Sequence, residues 1–277
     1  MKTVRLPSGE CVPAFGLGTW HIGDNVKTRD EEIAALRVGL DLGARLIDTA
    51  EMYGEGQAEI LVGEAIAGRR DEVFVVSKVY PHNATRRGVA SACERSLRRL
   101  DTDRIDLYLL HWRGSVPLAE TMDAFAALQA AGKIRHYGVS NLDCADMQEL
   151  WALEAGRSTA TNQVLYNLGR RGIEWDLLPW LRERAVPIMA YSPIEQGRLA
   201  RNALLADFGR RHGMTAAQAA LAWLLRNDDV IVIPKSGHRA RLRENIGACE
   251  IRLSAAQLTE LDQLFPPPKR ATPLSML

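Results

Sequence analysis

A closed (β/α)8 barrel, the TIM barrel, is the fold that three features of the chain predict. Eight short apolar segments recur along it, a helical stripe follows each, and no polar linker is long enough to separate a second domain. Near-continuously apolar strands alternating with helices mean a parallel sheet covered on both faces, and eight such units fit closure. An open doubly wound sheet is the alternative, but its glycine fingerprint is missing. One barrel domain over residues 1–277 follows, with a short N-terminal β-hairpin and a C-terminal helix plus loop.

Residues 4–6 and 10–12 flank the turn Pro7-Ser8-Gly9 and form a hairpin suited to closing one end of a core. Phe15-Gly16-Leu17-Gly18-Thr19-Trp20 is the first barrel strand. It looks like a dinucleotide-binding loop but lacks the third glycine, and no helix starts directly after it. A helix begins near Asp30, carries Ile33, Leu36 and Leu40 at helical spacing, and stops at Gly43. The second strand, Leu46-Ile47-Asp48, leads through a turn at Tyr53-Gly54 to a helix with Ile60, Leu61 and Ala65 that ends near Gly68. Residues 73–78 are the third strand, followed by the stripe Val89, Cys93, Leu97 and Leu100. Residues 105–112 are the fourth, followed by Met122, Phe125 and Leu128 and closed by Gly132. Residues 134–141 precede a helix with Met147, Leu150 and Trp151, and residues 160–166 precede a helix over 175–184. Residues 186–193 lead into a helical pair, 204–211 and 216–226, and residues 230–236 are the last strand. The tail from Pro266-Pro267-Pro268 cannot start as a helix and reads as a loop over one barrel end.

With 47% of its 277 residues hydrophobic the chain can bury a large core, and a net charge of +1 with scattered basic residues offers no nucleic-acid surface. The ligand is therefore expected to be small. No apolar run reaches transmembrane length and residues 1–7 lack the apolar core of a signal peptide, so a cytoplasmic protein without a membrane partner is expected. Cys11, Cys93, Cys144 and Cys249 lie far apart without metal-ligand spacing and are expected as reduced thiols.

In such a barrel the functional side chains gather at the C-terminal ends of the strands. Asp48 ends the second strand, and Tyr53 shares its rim. A tyrosine, with an ordinary pKa of about 10, is a poor acid near neutrality unless a cation lowers that value. Lys78, at the end of the third strand, supplies such a cation, and His111 closes the fourth. Taken singly, Asp48 serves as well as a cap, Tyr53 as packing, Lys78 as a solvated strand end and His111 as a core histidine. Together on adjacent strand ends they point to proton transfer. Lys235, Ser236 and Arg241 follow the last strand, where barrels often hold phosphate, and a guanidinium fork suits phosphate oxygens. A solvated basic helix start is the plain alternative for these three.

Along essentially its whole length the chain resembles the aldo-keto reductase superfamily, in a short bacterial form. The matching segments are Gly16-Leu17-Gly18-Thr19-Trp20, Asp48-Thr49-Ala50 with Tyr53, Ser77-Lys78, Leu110-His111-Trp112, Gly138-Val139-Ser140-Asn141, Gln163 with Tyr166 and Asn167, Tyr191-Ser192-Pro193, and Ile233-Pro234-Lys235-Ser236 with Arg241, Glu244 and Asn245. The resemblance implies an NADPH-dependent oxidoreductase that reduces aldehydes and ketones. Asp48, Tyr53, Lys78 and His111 would form its catalytic site. Tyr53 would be the general acid, Lys78, ion-paired with Asp48, would bring the tyrosine pKa down toward the working range, and a neutral His111 would hydrogen-bond the carbonyl oxygen.

The resemblance also implies the cofactor's contacts. Ser140, Asn141 and Gln163 would meet the nicotinamide amide, with Tyr191 stacked on the ring; Ser192 and Gly197 would meet the pyrophosphate. An additional ribose phosphate on Lys235, Ser236 and Arg241 would favour NADPH over NADH, and Glu244 and Asn245 would face the adenine. Trp20 and Trp112 would line the substrate pocket with Met52 and Tyr80, although Trp112 points away from it if strand alternation continues past His111. Methylglyoxal and other small 2-oxoaldehydes are the substrate class that short bacterial members suggest, and a monomer is the family's usual state. Two other readings are an NADPH-binding redox-sensing subunit with slow turnover, for which no docking extension is evident, and a lyase using Lys78 as a Schiff base. Asp48 opposes the lyase, since an ion pair keeps the lysine protonated.

Overall fold

A computed structural model describes residues 1–277. The hairpin pairs β1 (Thr3–Arg5) with β2 (Cys11–Pro13) antiparallel. Eight parallel strands follow: β3 (Gly16–Gly18), β4 (Leu46–Asp48), β5 (Phe74–Val79), β6 (Ile105–Leu110), β7 (Ile134–Ser140), β8 (Asn162–Leu165), β9 (Ile188–Tyr191) and β10 (Val230–Val232), each paired with its neighbours in sequence order. The two ends of this sheet meet through bridges from Phe15 to Val232 and from Gly18 to Lys235. A Cβ on Gly18 would lie 2.7 Å from the carbonyl oxygen of Ile233, so only glycine lets the seam close. The glycine pattern that resembled a phosphate loop is thus a closure device.

Outside the strands lie α1 (Arg29–Asp41), α2 (Gln57–Ile66), α3 (Arg86–Leu100), α4 (Leu118–Ala130), α5 (Cys144–Ala152), α6 (Leu177–Arg182), the pair α7 (Ala203–Arg211) and α8 (Ala216–Leu225), α9 (Arg239–Gly247) and α10 (Ala255–Leu264). Their starts follow local chemistry. Thr85, Asp143, Asn202, Thr215 and Ser254 each accept a backbone N–H of the first turn they precede. The expected helix over 175–184 is shorter because Asp176 takes the Leu177 N–H at 2.6 Å and resets the start, leaving Trp175 half exposed. No helix is long and apolar enough to cross a membrane, and all four cysteines are unpaired.

β5 and β6 are buried along their full length, which accounts for their continuous apolar runs. The hairpin covers the N-terminal end of the barrel. Its Glu10 accepts from Arg135 at 2.7 Å and pairs with His136 at 2.8 Å, both at the start of β7. The opposite end is left for chemistry.

The turn between β4 and α2 is built on left-handed backbone at Gly54, Glu55 and Gly56, with φ of 55°, 53° and 92°. A Cβ on Gly56 would sit 2.6 Å from the Arg99 side chain. That arginine is held by Glu59 of α2, which is fully buried and also accepts from Ser77 of β5 at 2.6 Å. The Tyr53 turn, Lys78's neighbour and α3 are tied together in this way. Glu59→Ala strands the arginine, and is expected to lower unfolding free energy by about 3 kcal/mol, read by urea denaturation.

Candidate active site

Lys78, the penultimate residue of β5, is fully buried. Its Nζ donates to Asp48 Oδ2 at 2.9 Å, to the Thr49 carbonyl at 2.9 Å and to the Tyr53 hydroxyl at 3.0 Å. An ammonium carries three protons, and all three have acceptors from the end of β4. That makes burial of the charge tolerable. Because Tyr53 Oη accepts from Lys78, its own proton is free for another acceptor.

The other carboxylate oxygen of Asp48, Oδ1, accepts from Gln163 Nε2 on β8 at 2.7 Å. The family resemblance implies a contact of Gln163 with the cofactor amide. Here its NH2 is committed to Asp48, with Met189 Sδ beside it at 2.8 Å, and only Oε1 has no partner.

Burial raises the Tyr53 pKa, Lys78's charge lowers it and Asp48's raises it again; the outcome lies above the ordinary tyrosine value. The expected fall toward neutrality is thus corrected, since loss of water outweighs the neighbouring cation. For Lys78, burial opposes the charged form, but Asp48 and Tyr53 outweigh it and hold the pKa above the ordinary value.

His111 comes directly after β6 and its backbone N–H bonds the Val79 carbonyl at 3.0 Å. Burial first and the Lys78 charge second push its pKa down to about 2, so the ring is neutral. Nδ1 is sealed without a partner. The single proton therefore belongs on Nε2, where it leaves an unpaired acceptor rather than an unpaired donor inside. The ring stands edge-on to Tyr53 with centroids 5.8 Å apart.

Tyr53, His111 and Asp48 open onto a cavity of about 850 Å³ at the C-terminal end of the strands. Trp20, packed edge-on to Tyr53 at 4.9 Å, lines it with Met52. Trp112 lines it as well, because β6 stops at Leu110 and strand alternation does not carry on through His111. Tyr80 does not line the cavity and instead packs edge-on against Trp112 at 5.8 Å.

Farther along, the Tyr191 hydroxyl donates to Asn141 Oδ1 at 3.0 Å, and Asn141 Nδ2 donates to Ser140 Oγ at 3.1 Å. These three, Gln163 and Ser192 share the cavity wall. Lys235, Ser236, Arg241, Glu244 and Asn245 form its far end, beside the start of α9. Lys78 alone of the sequence-chosen catalytic and cofactor residues lies behind the wall rather than on it. Lys235 and Arg241 have no carboxylate partner, and neither does Arg201, which the sequence reading missed. Glu244 accepts from the Thr215 hydroxyl at 2.6 Å. Unpaired cations at a helix start make a site for a polyanion.

Met276, Leu277 and Gln196 also line the cavity unforeseen. The tail is steered by Arg171, which donates to the Phe265 carbonyl at 2.6 Å. The path to Gln196 and Arg201 depends on left-handed backbone at Ser192, Glu195, Gln196 and Gly197, with φ of 46°, 49°, 50° and 84°. Glycine at one of the four was the only signal.

A parallel barrel, a buried Asp-Lys-Tyr cluster beside a neutral imidazole, and a cation-rimmed cavity are the frame and site of a barrel oxidoreductase. Residues 14–265 match the aldo/keto reductase family, and the chain belongs to that family. It is 51% identical over its full length to methylglyoxal reductase YeaE of Escherichia coli strain K12, covering 99% of that protein. It is 32% identical to glyoxal reductase of Bacillus subtilis strain 168, over 95% of this chain and 92% of that one. An aldo/keto reductase from Klebsiella pneumoniae, solved in complex with NADP and acetate, superposes with a TM-score of 0.97 at 50% identity, over 100% of this chain and 99% of that one.

His111 folds neutral at about 2 against an unfolded value of about 6.5, so between these values the unfolded chain binds more protons and stability rises with pH. This contribution is intact above about pH 6.5 and declines as pH falls, by about 2 kcal/mol at pH 5. Unfolding titrations should show that share of the acid sensitivity absent in His111→Gln.

Proposed function

We propose that the protein is an NADPH-dependent reductase of small 2-oxoaldehydes, methylglyoxal among them, with Tyr53 as proton donor. The observation that carries this reading is the bond from Lys78 Nζ to Tyr53 Oη, which leaves the phenolic proton free beside a cavity and places a cation against the oxygen that must release it. Bound NADPH supplies the hydride that the carbonyl carbon receives. His111 Nε2–H orients the carbonyl oxygen and supports the charge gathering on it. Tyr53 passes its proton to that oxygen, and the Lys78 ammonium supports the phenolate that remains. Asp48 keeps Lys78 protonated and in place. A raised tyrosine pKa keeps the donor loaded at neutral pH.

The cofactor fits the cavity on its charges. Lys235 and Arg241 with Ser236 suit a ribose phosphate, Arg201 adds a third cation, and Tyr191, Ser140, Asn141 and Gln163 Oε1 offer a flat face and amide partners for a nicotinamide. Glu244 and Asn245 are left for the adenine, and Ser192 and Gly197 for the pyrophosphate. Trp20, Met52 and Trp112 frame the substrate end. The substrate class is drawn from the names of the methylglyoxal and glyoxal reductases that the chain resembles. The same reading takes the protein as a cytoplasmic monomer; light scattering on a sizing column tests the monomer.

NADPH titration by fluorescence, followed by oxidation rates with methylglyoxal and a panel of aromatic aldehydes, decides the matter. Tyr53→Phe is expected to lower kcat by about 100-fold or more while NADPH affinity stays the same. Tight NADPH binding by the wild type with no turnover on any carbonyl would favour the redox-sensing subunit. Lys235→Met combined with Arg241→Met should weaken NADPH about 10- to 100-fold and leave NADH nearly unchanged.

A further inference from the structure

The contact between Gln163 and Asp48 is used by no step above, yet it joins β8 to β4 across the barrel between residues 115 apart in sequence. We propose that Gln163 is a positioning residue for the proton donor: by donating to Asp48 it offsets some of that carboxylate's field on Lys78 and Tyr53, and so tunes how readily Tyr53 gives up its proton. The inference rests on the reductase reading.

The amide orientation is fixed by chemistry. Asp48 Oδ1 can only accept, and Gln163 turned over would set a carbonyl oxygen against it at 2.7 Å. Asp48 and Gln163 are each only 2% exposed, so a neutral dipole has weight that it lacks in water. The groups around Tyr53 are few. Asp48 comes from β4, Lys78 from β5 and His111, neutral, from the end of β6. Tyr191 of β9 is tied to Asn141, and burial pushes its pKa up to about 12, so it is neutral as well. One carboxylate and one ammonium therefore set the local field, and Gln163 is the one other side chain that donates to the carboxylate. Oε1 remains free, so a cofactor amide can be met by the same residue without release of Asp48.

The sign follows. Asp48 disfavours the Tyr53 phenolate, and without the amide that effect is less offset. The donor then becomes a weaker acid.

Two variants and two readouts test this. Gln163→Met keeps the volume and donates nothing. Gln163→Glu puts a carboxyl in the same place, which donates to Asp48 when protonated and repels it when ionised. NADPH Kd is measured by fluorescence, and kcat with methylglyoxal is followed against pH at saturating NADPH, with melting curves to establish folding. In Gln163→Met, kcat at pH 7 is expected to fall about 10-fold and its alkaline midpoint to rise by about half to one unit, with Kd changing less than kcat. Gln163→Glu should approach wild type at low pH and lose activity as the introduced carboxyl ionises. Weakened NADPH binding with an unaltered pH profile in both variants overturns the inference, since Gln163 then serves the cofactor alone. A midpoint that moves down also overturns it. Failure of the reductase reading looks different: the wild type itself then oxidises no NADPH with any carbonyl, and the inference falls with it.

Discussion

The ammonium of Lys78 has no access to water, and the mouth of the barrel is arranged about that fact. An isolated buried charge costs several kcal/mol, which only close, well-aimed partners offset. Here the partners come from one short stretch, Asp48, Thr49 and Tyr53, so β4 must end where it does and the chain must turn back at once. Asp48, equally buried, then needs a second donor and finds it in Gln163. Compensation for one lysine thus reaches from β5 through β4 to β8. Asp48, Lys78 and Gln163 sit on buried strands, and Tyr53 is brought to them by a tight turn directly after β4, which keeps the hydrogen-bond lengths fixed while ligands come and go.

The cavity is electrically divided. At the Tyr53 end the charges cancel internally: Lys78 against Asp48, with a neutral His111 beside them. Beside the start of α9 Lys235 and Arg241, and after β9 Arg201, are left without carboxylate partners on the cavity wall. Binding strength for an anionic cofactor can therefore come from one end while the other stays apolar and charge-balanced. An uncompensated cation next to Tyr53 would attract anions to the place where, in the proposed reaction, a neutral carbonyl must sit.

Much of this was legible in the sequence because it is written in periods and ends. Strand and helix spacing yield the barrel, and the strand ends yield Asp48, Lys78 and His111. What escaped was whatever depends on contacts between distant segments. No spacing says that Gln163 faces Asp48 across the barrel, because the distance is set by closure. Trp112 falls on the pocket wall as the resemblance implies, whereas alternation alone turns it away; the strand end that decides between them is a matter of backbone pairing with β5 and β7. The direction of the Tyr53 shift was misread because sequence names the neighbouring cation but not the degree of burial. Arg201 was invisible for want of any periodic signal along its path, and the tail was legible as a loop over one barrel end but not as the source of Met276 and Leu277 on the cavity wall.

Glu10 grips Arg135 and His136 at the floor of the barrel, a full strand length away from Tyr53 and the cavity. Substitutions at that floor and substitutions around the mouth share no partners, so their effects on folding should add rather than interfere. The scaffold is in this sense separable: hardening one end leaves freedom to reshape the other, and a lineage or an engineer can diversify the pocket after first reinforcing the hairpin.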